Sequence, residues 1–208
     1  WAGSQRYPSQ WGGDPQADWG GLAASIRGGL SWGMTGAPFY ATDVGGFYGD
    51  QRDPLLYVRW AQASVFSAHM RLHGIGAREP WSYGEEAERA AMAALALRYR
   101  LLPYLWRAVE QACATGLPVQ RAMVLACPDE PESWAFDHQF FCGDDLLVAP
   151  CLEPGGRVRV YLPRGEWRRF PGGEPVTGGQ LREFTLAREE IAVFARAGAV
   201  VRVGPAGR

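Results

Sequence analysis

The sequence predicts an α/β plus β chain: the C-terminal part of a (β/α)8 (TIM) barrel, followed by an all-β sandwich. Three observations carry this. Short apolar runs, each ending in a polar residue, alternate with helical segments at a spacing of about 30 residues, the size of a βα unit. Acids, a histidine and glycine pairs cluster just after those runs, as in barrels that present functional groups at the C-terminal ends of parallel strands. Past Gly116 the helical period gives way to short strand-like runs separated by turns such as Gly155-Gly156 and Gly172-Gly173, the texture of a β-sandwich. The boundary is therefore set at Gly116, with 1–116 as the barrel portion and 117–208 as the sandwich.

From the N-terminus, residues 1–10 are polar and irregular. They lead into Trp11-Gly12-Gly13-Asp14, a tight loop that sets a carboxylate beside an indole. Trp19, Leu22, Ile26 and Leu30 recur three or four residues apart and predict a helix over 19–31. Gly28-Gly29, late in that helix, fits either close packing on a strand or a frayed end. Residues 37–41 predict a buried strand, which runs out into Asp43-Val44-Gly45-Gly46. Gly49-Asp50 opens a loop, and Pro54 suits the first turn of a second helix with a thick apolar face. Residues 68–72 alternate weakly and end at His73-Gly74. Ser82-Tyr83-Gly84-Glu85 reads as a capping box for a long helix burying Leu95, Leu102, Leu105, Val109 and Ala112. Pro103 should kink that helix near Tyr99, and Gly116 with Pro118 should stop it. Strands are predicted over 119–126, 146–149, 157–162, 167–170, 181–186, 191–194 and 199–203. Three parallel strands cannot close a barrel of about eight. The N-terminal half is thus expected to need upstream strands, whereas the β-rich half could fold alone.

Bulk composition excludes several classes. The 208 residues are 47% hydrophobic, enough for a sizeable core, and the net charge of -1 argues against nucleic acid or an anionic membrane as partner. No apolar run approaches the roughly 18 residues of a spanning helix. No leader is visible, and a cytoplasmic location is the expectation. The first residue is Trp1 rather than Met, which suggests a piece of something longer. Cys113, Cys127, Cys142 and Cys151 form no C-x-x-C pair and read as buried free thiols. A metal site from His138, Cys142 and Cys151 meets no zinc spacing. No glycine pair makes a nucleotide-binding loop.

Chemistry is sought at the strand ends. Asp14 is either a general acid or a helix N-cap or turn aspartate. Asp43 is a turn acid, a buried hydrogen-bonding partner or a group facing the site. Arg71 and His73 alternate along one strand and point the same way. They suit sugar hydroxyls or a charged intermediate, with a structural Arg–acid pair and a satisfied His as the alternatives. His69, Asp144-Asp145, Glu85-Glu86 and Glu189-Glu190 read as structural. One acid, a histidine, an arginine and nine Trp suggest a sugar site. A hydrolase of that kind usually uses two carboxylates, about 5 Å apart in a retaining enzyme. Asp43 qualifies as the second by position only.

The ordered set QRYPSQWGGD, IRGGLSWGMTGAPFYATDVGGF, RW at Arg59-Trp60 and RLHG at Arg71 to Gly74 resembles the barrel of glycoside hydrolase family 31. GDDLLVAP, VYLPRGEW and FARAGAVV resemble that family's proximal C-terminal β-domain. WGGD and RLHG are most similar to its bacterial α-xylosidase-like members. The resemblance implies a retaining α-glycosidase, of α-xylosidase or α-glucosidase type, with no metal or organic cofactor. Asp14 matches the general acid/base and His73 a residue binding the sugar in the -1 subsite. Asp43 and Arg71 match positions that shape that subsite, and Trp11 would line it. The family's nucleophile, in a motif like K-x-D-x-G-E, has no counterpart here, and neither does its substrate-binding arginine. The chain alone is therefore expected to be inactive. The implied partners are an oligosaccharide or glycoside substrate and the N-terminal part of the same chain, with homo-oligomerisation open for the full-length enzyme. A non-catalytic carbohydrate-binding remnant and a transglycosylase are the competing readings.

Overall fold

The computed structural model describes residues 3, 6, 7, 9–49 and 52–205. Asp50, in the predicted loop before the second helix, and much of the irregular stretch before Ser9 lie outside them. Strand β1 (Ser9–Trp11) pairs in parallel with β2 (Phe39–Ala41), placing Trp11 opposite Ala41. Past Thr42 the same run of chain continues as β3 (Asp43–Val44), which pairs in parallel with β4 (Arg71–Leu72). The result is an arc of successive parallel strands. Two helices provide the crossovers that parallel pairing requires: α1 (Trp19–Met34) and α2 (Pro54–Ser64).

Helix α1 starts where Asp18 accepts the Gly21 N–H at 2.6 Å, and it buries Leu22, Ile26 and Leu30 on one face. It outlasts the predicted end by three residues, so Gly28-Gly29 lie inside it. A side chain on Gly29 would overlap the Tyr40 ring, which makes close packing the reason for that glycine. Helix α2 is capped by Asp53 and buried on all sides from Leu56 to Ser64. The long helix α3 (Glu85–Thr115) begins differently from the sequence expectation. Gly84, at φ +86°, turns the chain into the helix without a side-chain cap, and Ser82 belongs to the preceding 3-10 turn. The capping box is absent because the helix starts at its supposed N3 residue. Glu85, Glu86 and Glu88 place negative charge in the first turn, where the helix dipole favours it. The buried stripe also differs. It runs through Ala87, Ala91, Ala94, Leu101, Leu105, Ala108 and Ala112, while Leu102 and Trp106 are exposed at 45% and 64%. The helix continues through Pro103 and ends at Gly116 in the left-handed conformation.

The β half holds a six-stranded antiparallel sheet. Its strands are β5 (Gln120–Ala122), β6 (Phe140–Cys142), β7 (Leu146–Ala149), β9 (Glu166–Arg169), β10 (Pro175–Thr177) and β12 (Ala192–Arg196). Strands β8 (Arg157–Leu162) and β11 (Gln180–Thr185) form a ribbon across one face. The predicted strand 119–126 splits, because the helical turn α4 (Met123–Ala126) follows β5; an apolar run that short does not distinguish a strand from a buried helical turn. The predicted strand 199–203 has no ladder. Instead the tail lies on α3, with Gly204 N–H donating to Arg100 O at 2.6 Å. Two short strands, β6 and β10, escape the sequence reading; β10 opens with Pro175, which an edge strand tolerates.

Alternation along the sheet decides where the cores sit. Phe140, Cys142, Leu146, Val148 and Val193 face the helices and join one core with Trp60, Tyr57, Leu101 and Tyr104. Phe141, Leu147, Ala149, Phe194 and Trp167 face Val158, Val160 and Leu162 of the ribbon. The helical and β halves thus share a core. Polar contacts reinforce the junction. Arg59 Nη1 donates to Glu190 O at 2.6 Å, and Gln62 Nε2 to Arg188 O at 2.7 Å. Glu86 pairs with Arg188, and Gln111 Nε2 on α3 donates to Asp144 Oδ2 at 2.8 Å. Partial burial works against the Asp144 charge, but its bonds from Arg121 and Gln111 outweigh that and hold its pKa below the usual carboxylate range.

Among the described residues no three His, Cys, Asp or Glu side chains are grouped to hold a metal. The cysteines are all free; Cys127, Cys142 and Cys151 are buried, but Cys113 is exposed on α3, contrary to the expectation of four buried thiols. Burial pushes the Cys142 thiol up to about 12 and raises that of Cys127. A thiol-exchange reagent at pH 8 should therefore titrate Cys113 rapidly in the native state and all four only after denaturant is added. Rapid native reaction of Cys142 would contradict this packing.

Candidate active site

The site builds from the three strand ends. After Trp11 the chain leaves β1, and Gly12 N–H donates to Ala41 O at 3.1 Å. A side chain on Gly12 would overlap the Tyr40 hydroxyl, so only glycine lets the loop run this close to β2. Asp14 follows, exposed, with no hydrogen-bond or ion-pair partner among the described residues. It is not a helix cap, since Asp18 fills that role for α1.

The loop carrying Asp14 is fixed from the other side by the turn after β3. Pro15 O accepts the N–H groups of Phe47 at 2.7 Å and Tyr48 at 3.1 Å, and Ala17 N–H donates to Tyr48 O at 2.7 Å. Gly46, at φ +80°, lies against Ala17 so closely that a side chain would overlap its backbone. The Asp43-Val44-Gly45-Gly46 signal read from the sequence is thus a device for joining two strand-end loops.

Asp43 sits opposite Arg71 in the ladder and is fully buried. Arg71 Nε donates to Asp43 Oδ1 at 2.7 Å, and Nη2 lies 3.5 Å from Oδ2. The Arg71 guanidinium carbon also lies 4.1 Å from the centroid of the Trp11 ring. Three of the sequence candidates therefore touch: the acid holds the arginine, and the arginine stacks on the indole. Asp43 faces its partner rather than solvent. His73 is exposed and follows β4, its ring 5.6 Å from that of Phe47. Asp14 and His73 thus flank the same turn, Asp14 through Pro15 and His73 through Phe47. His69 lies apart. It bonds Ser9 Oγ at 2.9 Å, and burial, with Arg98 nearby, lowers its pKa; the structure keeps it out of the cluster, as expected.

Sequence reasoning missed Arg78. It is buried, and its guanidinium donates to backbone carbonyls of the turn after β3, including Gly46 O at 2.8 Å. The available signal was the lack of side chains at Gly45 and Gly74, which leaves room for it.

The Asp43–Arg71 pair is the energetic centre of this cluster. Arg71→Met keeps most of the side-chain length but strands a buried carboxylate, at an expected cost of about 3 kcal/mol. Trp11→Leu removes a half-exposed cation–π contact and should cost about 1 kcal/mol or less. Urea unfolding of both variants would rank them, and equal losses would contradict this account.

A family model described as the glycosyl hydrolases family 31 TIM-barrel domain matches residues 1–108, and the glycosyl hydrolase family 31 C-terminal domain matches residues 116–201. A probable glucan 1,3-alpha-glucosidase of Oryza sativa subsp. japonica is 40% identical over 205 residues, covering 96% of this chain and 22% of the relative. An alpha-xylosidase of Emericella nidulans is 35% identical over 210 residues, covering 97% of this chain and 27% of the relative. Among solved structures, a Flavobacterium johnsoniae GH31 dextranase complexed with glucose superposes with a TM-score of 0.92 at 37% identity, over 99% of this chain and 27% of the other. A GH31 alpha-xylosidase from a soil metagenome, complexed with xylose, gives 0.91 at 37% identity, over 97% and 34%. The chain spans about a quarter of the length of these curated relatives. Two family models in tandem and an architecture that superposes throughout establish that this chain belongs to glycosyl hydrolase family 31.

Proposed function

We propose that the chain is the barrel end (1–116) and adjoining β-domain (117–208) of a retaining α-glycoside hydrolase of α-xylosidase or α-glucosidase type. The observation that supports this best is Asp14: an exposed carboxylate with no partner among the described residues, on a pinned loop at a parallel strand end, three residues past Trp11. In this reading Asp14 protonates the glycosidic oxygen as the bond to the leaving group breaks. It later takes a proton from the water that releases the sugar. His73 binds sugar hydroxyls in the -1 subsite, and Trp11 and Arg71 form one wall. Asp43 holds Arg71 in place.

The mechanism needs a nucleophilic carboxylate about 5 Å from the acid/base. Asp43 is committed to Arg71, so the nucleophile comes from a segment outside this sequence. The chain alone then lacks the covalent step. The relatives that support the substrate class are named alpha-xylosidases and alpha-glucosidases. The carbohydrate-binding alternative finds little support in the sandwich. Among the described exposed large apolar side chains of the β half, Trp134 is the sole aromatic, and its indole N–H is occupied by Cys127 O at 3.1 Å.

In the full-length enzyme, Asp14→Asn should lower kcat/KM on a glycoside with a poor leaving group by roughly 100- to 10,000-fold. An activated aryl α-xyloside or α-glucoside needs no protonation and should keep most of its rate of bond cleavage. Steady-state kinetics with the two substrates would check this, and equal losses would sink the acid/base role. The purified chain by itself should turn over neither substrate.

A further inference from the structure

We propose that Arg78 is a positioning residue for Asp14, acting through the turn between them. The Arg78 side chain is 5% exposed and cannot reach a substrate in bulk contact. Its fork is spent on main-chain oxygens: Nε on Gly46 O at 2.8 Å, and Nη2 on Gly49 O at 3.3 Å and Phe47 O at 3.5 Å. Nη1 donates to its own neighbour, Ala77 O, at 3.1 Å. No carboxylate forms an ion pair with it among the described residues. A buried guanidinium bound to three carbonyls of one turn fixes the shape of that turn, because each carbonyl must point inward at once.

Arg78 is itself held. The Tyr57 hydroxyl donates to Arg78 O at 2.7 Å, and the Tyr57 ring stacks on Tyr83 at 3.9 Å and 11°. A Cβ on Gly74 would lie 2.8 Å from Arg78 Nε, and one on Gly45 3.2 Å from its Cδ. The space for the guanidinium is therefore built by two glycines. The turn it shapes carries the Phe47 and Tyr48 N–H groups that grip Pro15 O, and Pro15 is covalently next to Asp14. Ile75 N–H also donates to Phe47 O at 3.0 Å, which ties in the segment after His73. One buried cation thus sets the relative placement of the loops that carry Asp14 and His73.

The catalytic part of this inference rests on the reading of Asp14 as acid/base, and its test separates the two. In the full-length enzyme, Arg78→Met should lower kcat/KM on a poor-leaving-group glycoside by about 100-fold, the scale expected of a misplacement near 1 Å. The loss in kcat/KM should be several-fold smaller on an activated aryl glycoside, whose bond breaks without protonation. Arg78→Lys, which keeps the charge but not the fork, should recover only part of the loss. Hydrogen exchange should quicken at the Ala17, Phe47 and Tyr48 amides in Arg78→Met, while core amides such as those of Leu101 and Val193 stay protected. Unchanged exchange at Ala17 and Phe47 overturns the positioning role outright. Equal losses on the two substrates, with Asp14→Asn still discriminating between them, overturn its link to Asp14. If Asp14→Asn fails to discriminate, the acid/base reading falls, and faster exchange at Ala17 and Phe47 still establishes that Arg78 sets the turn.

Discussion

A carboxylate with no exposure to water needs a cation within hydrogen-bonding reach, and Asp43 finds one across the strand ladder in Arg71. Much at the strand ends follows from that pair. The requirement aligns Asp43 opposite Arg71, so the register of β3 on β4 and the ion pair support each other. It directs the guanidinium over Trp11, which joins the strand two positions away in the arc. It also separates the two carboxylates: Asp43 is buried against the arginine, whereas Asp14 is open to solvent.

The placement of the strand ends relies in turn on burial behind them. Helix α2 is covered on all sides, packing on the strands, on α3 and on the β half. Its one costly group is Arg59, whose charge is opposed by burial; it is held by carbonyls of the turn near Glu190, although its Nε finds no partner. That arrangement stakes a buried cation on the docking of the β half. The six-stranded sheet then serves two cores, with side chains alternating between the helices and the ribbon.

Periodicity made α1, α2, β7 and β8 legible in the sequence, since each has a strong apolar pattern and clear punctuation. The elements that escaped are those for which local pattern is mute. Met123–Ala126 is apolar enough for a strand or a helix, and only its place beside β6 decides. The start of α3 turned on Gly84, whose positive φ competes with the capping-box pattern of its neighbours. The strand-end residues Trp11, Asp14, Asp43, Arg71 and His73 were found by position in the βα repeat, and the structure brings three of them into contact. Arg78 was invisible because its partners are backbone oxygens, and a main-chain carbonyl leaves no letter in a sequence. Its trace was an absence, the missing side chains of Gly45 and Gly74.

The shared core has a further meaning for how such a chain can be recombined. Gly116 closes a helix and marks the sharpest change of texture in the sequence, which makes it look like a natural splice point. In packing it is nothing of the kind. The face formed by Phe140, Cys142, Leu146, Val148 and Val193 is fitted to α2 and α3, while the opposite face belongs to the ribbon. A chimera cut at Gly116 would exchange one wall of a closed interior for a wall shaped to another molecule. The barrel end and its sheet share that interior, so the two textures have to move together.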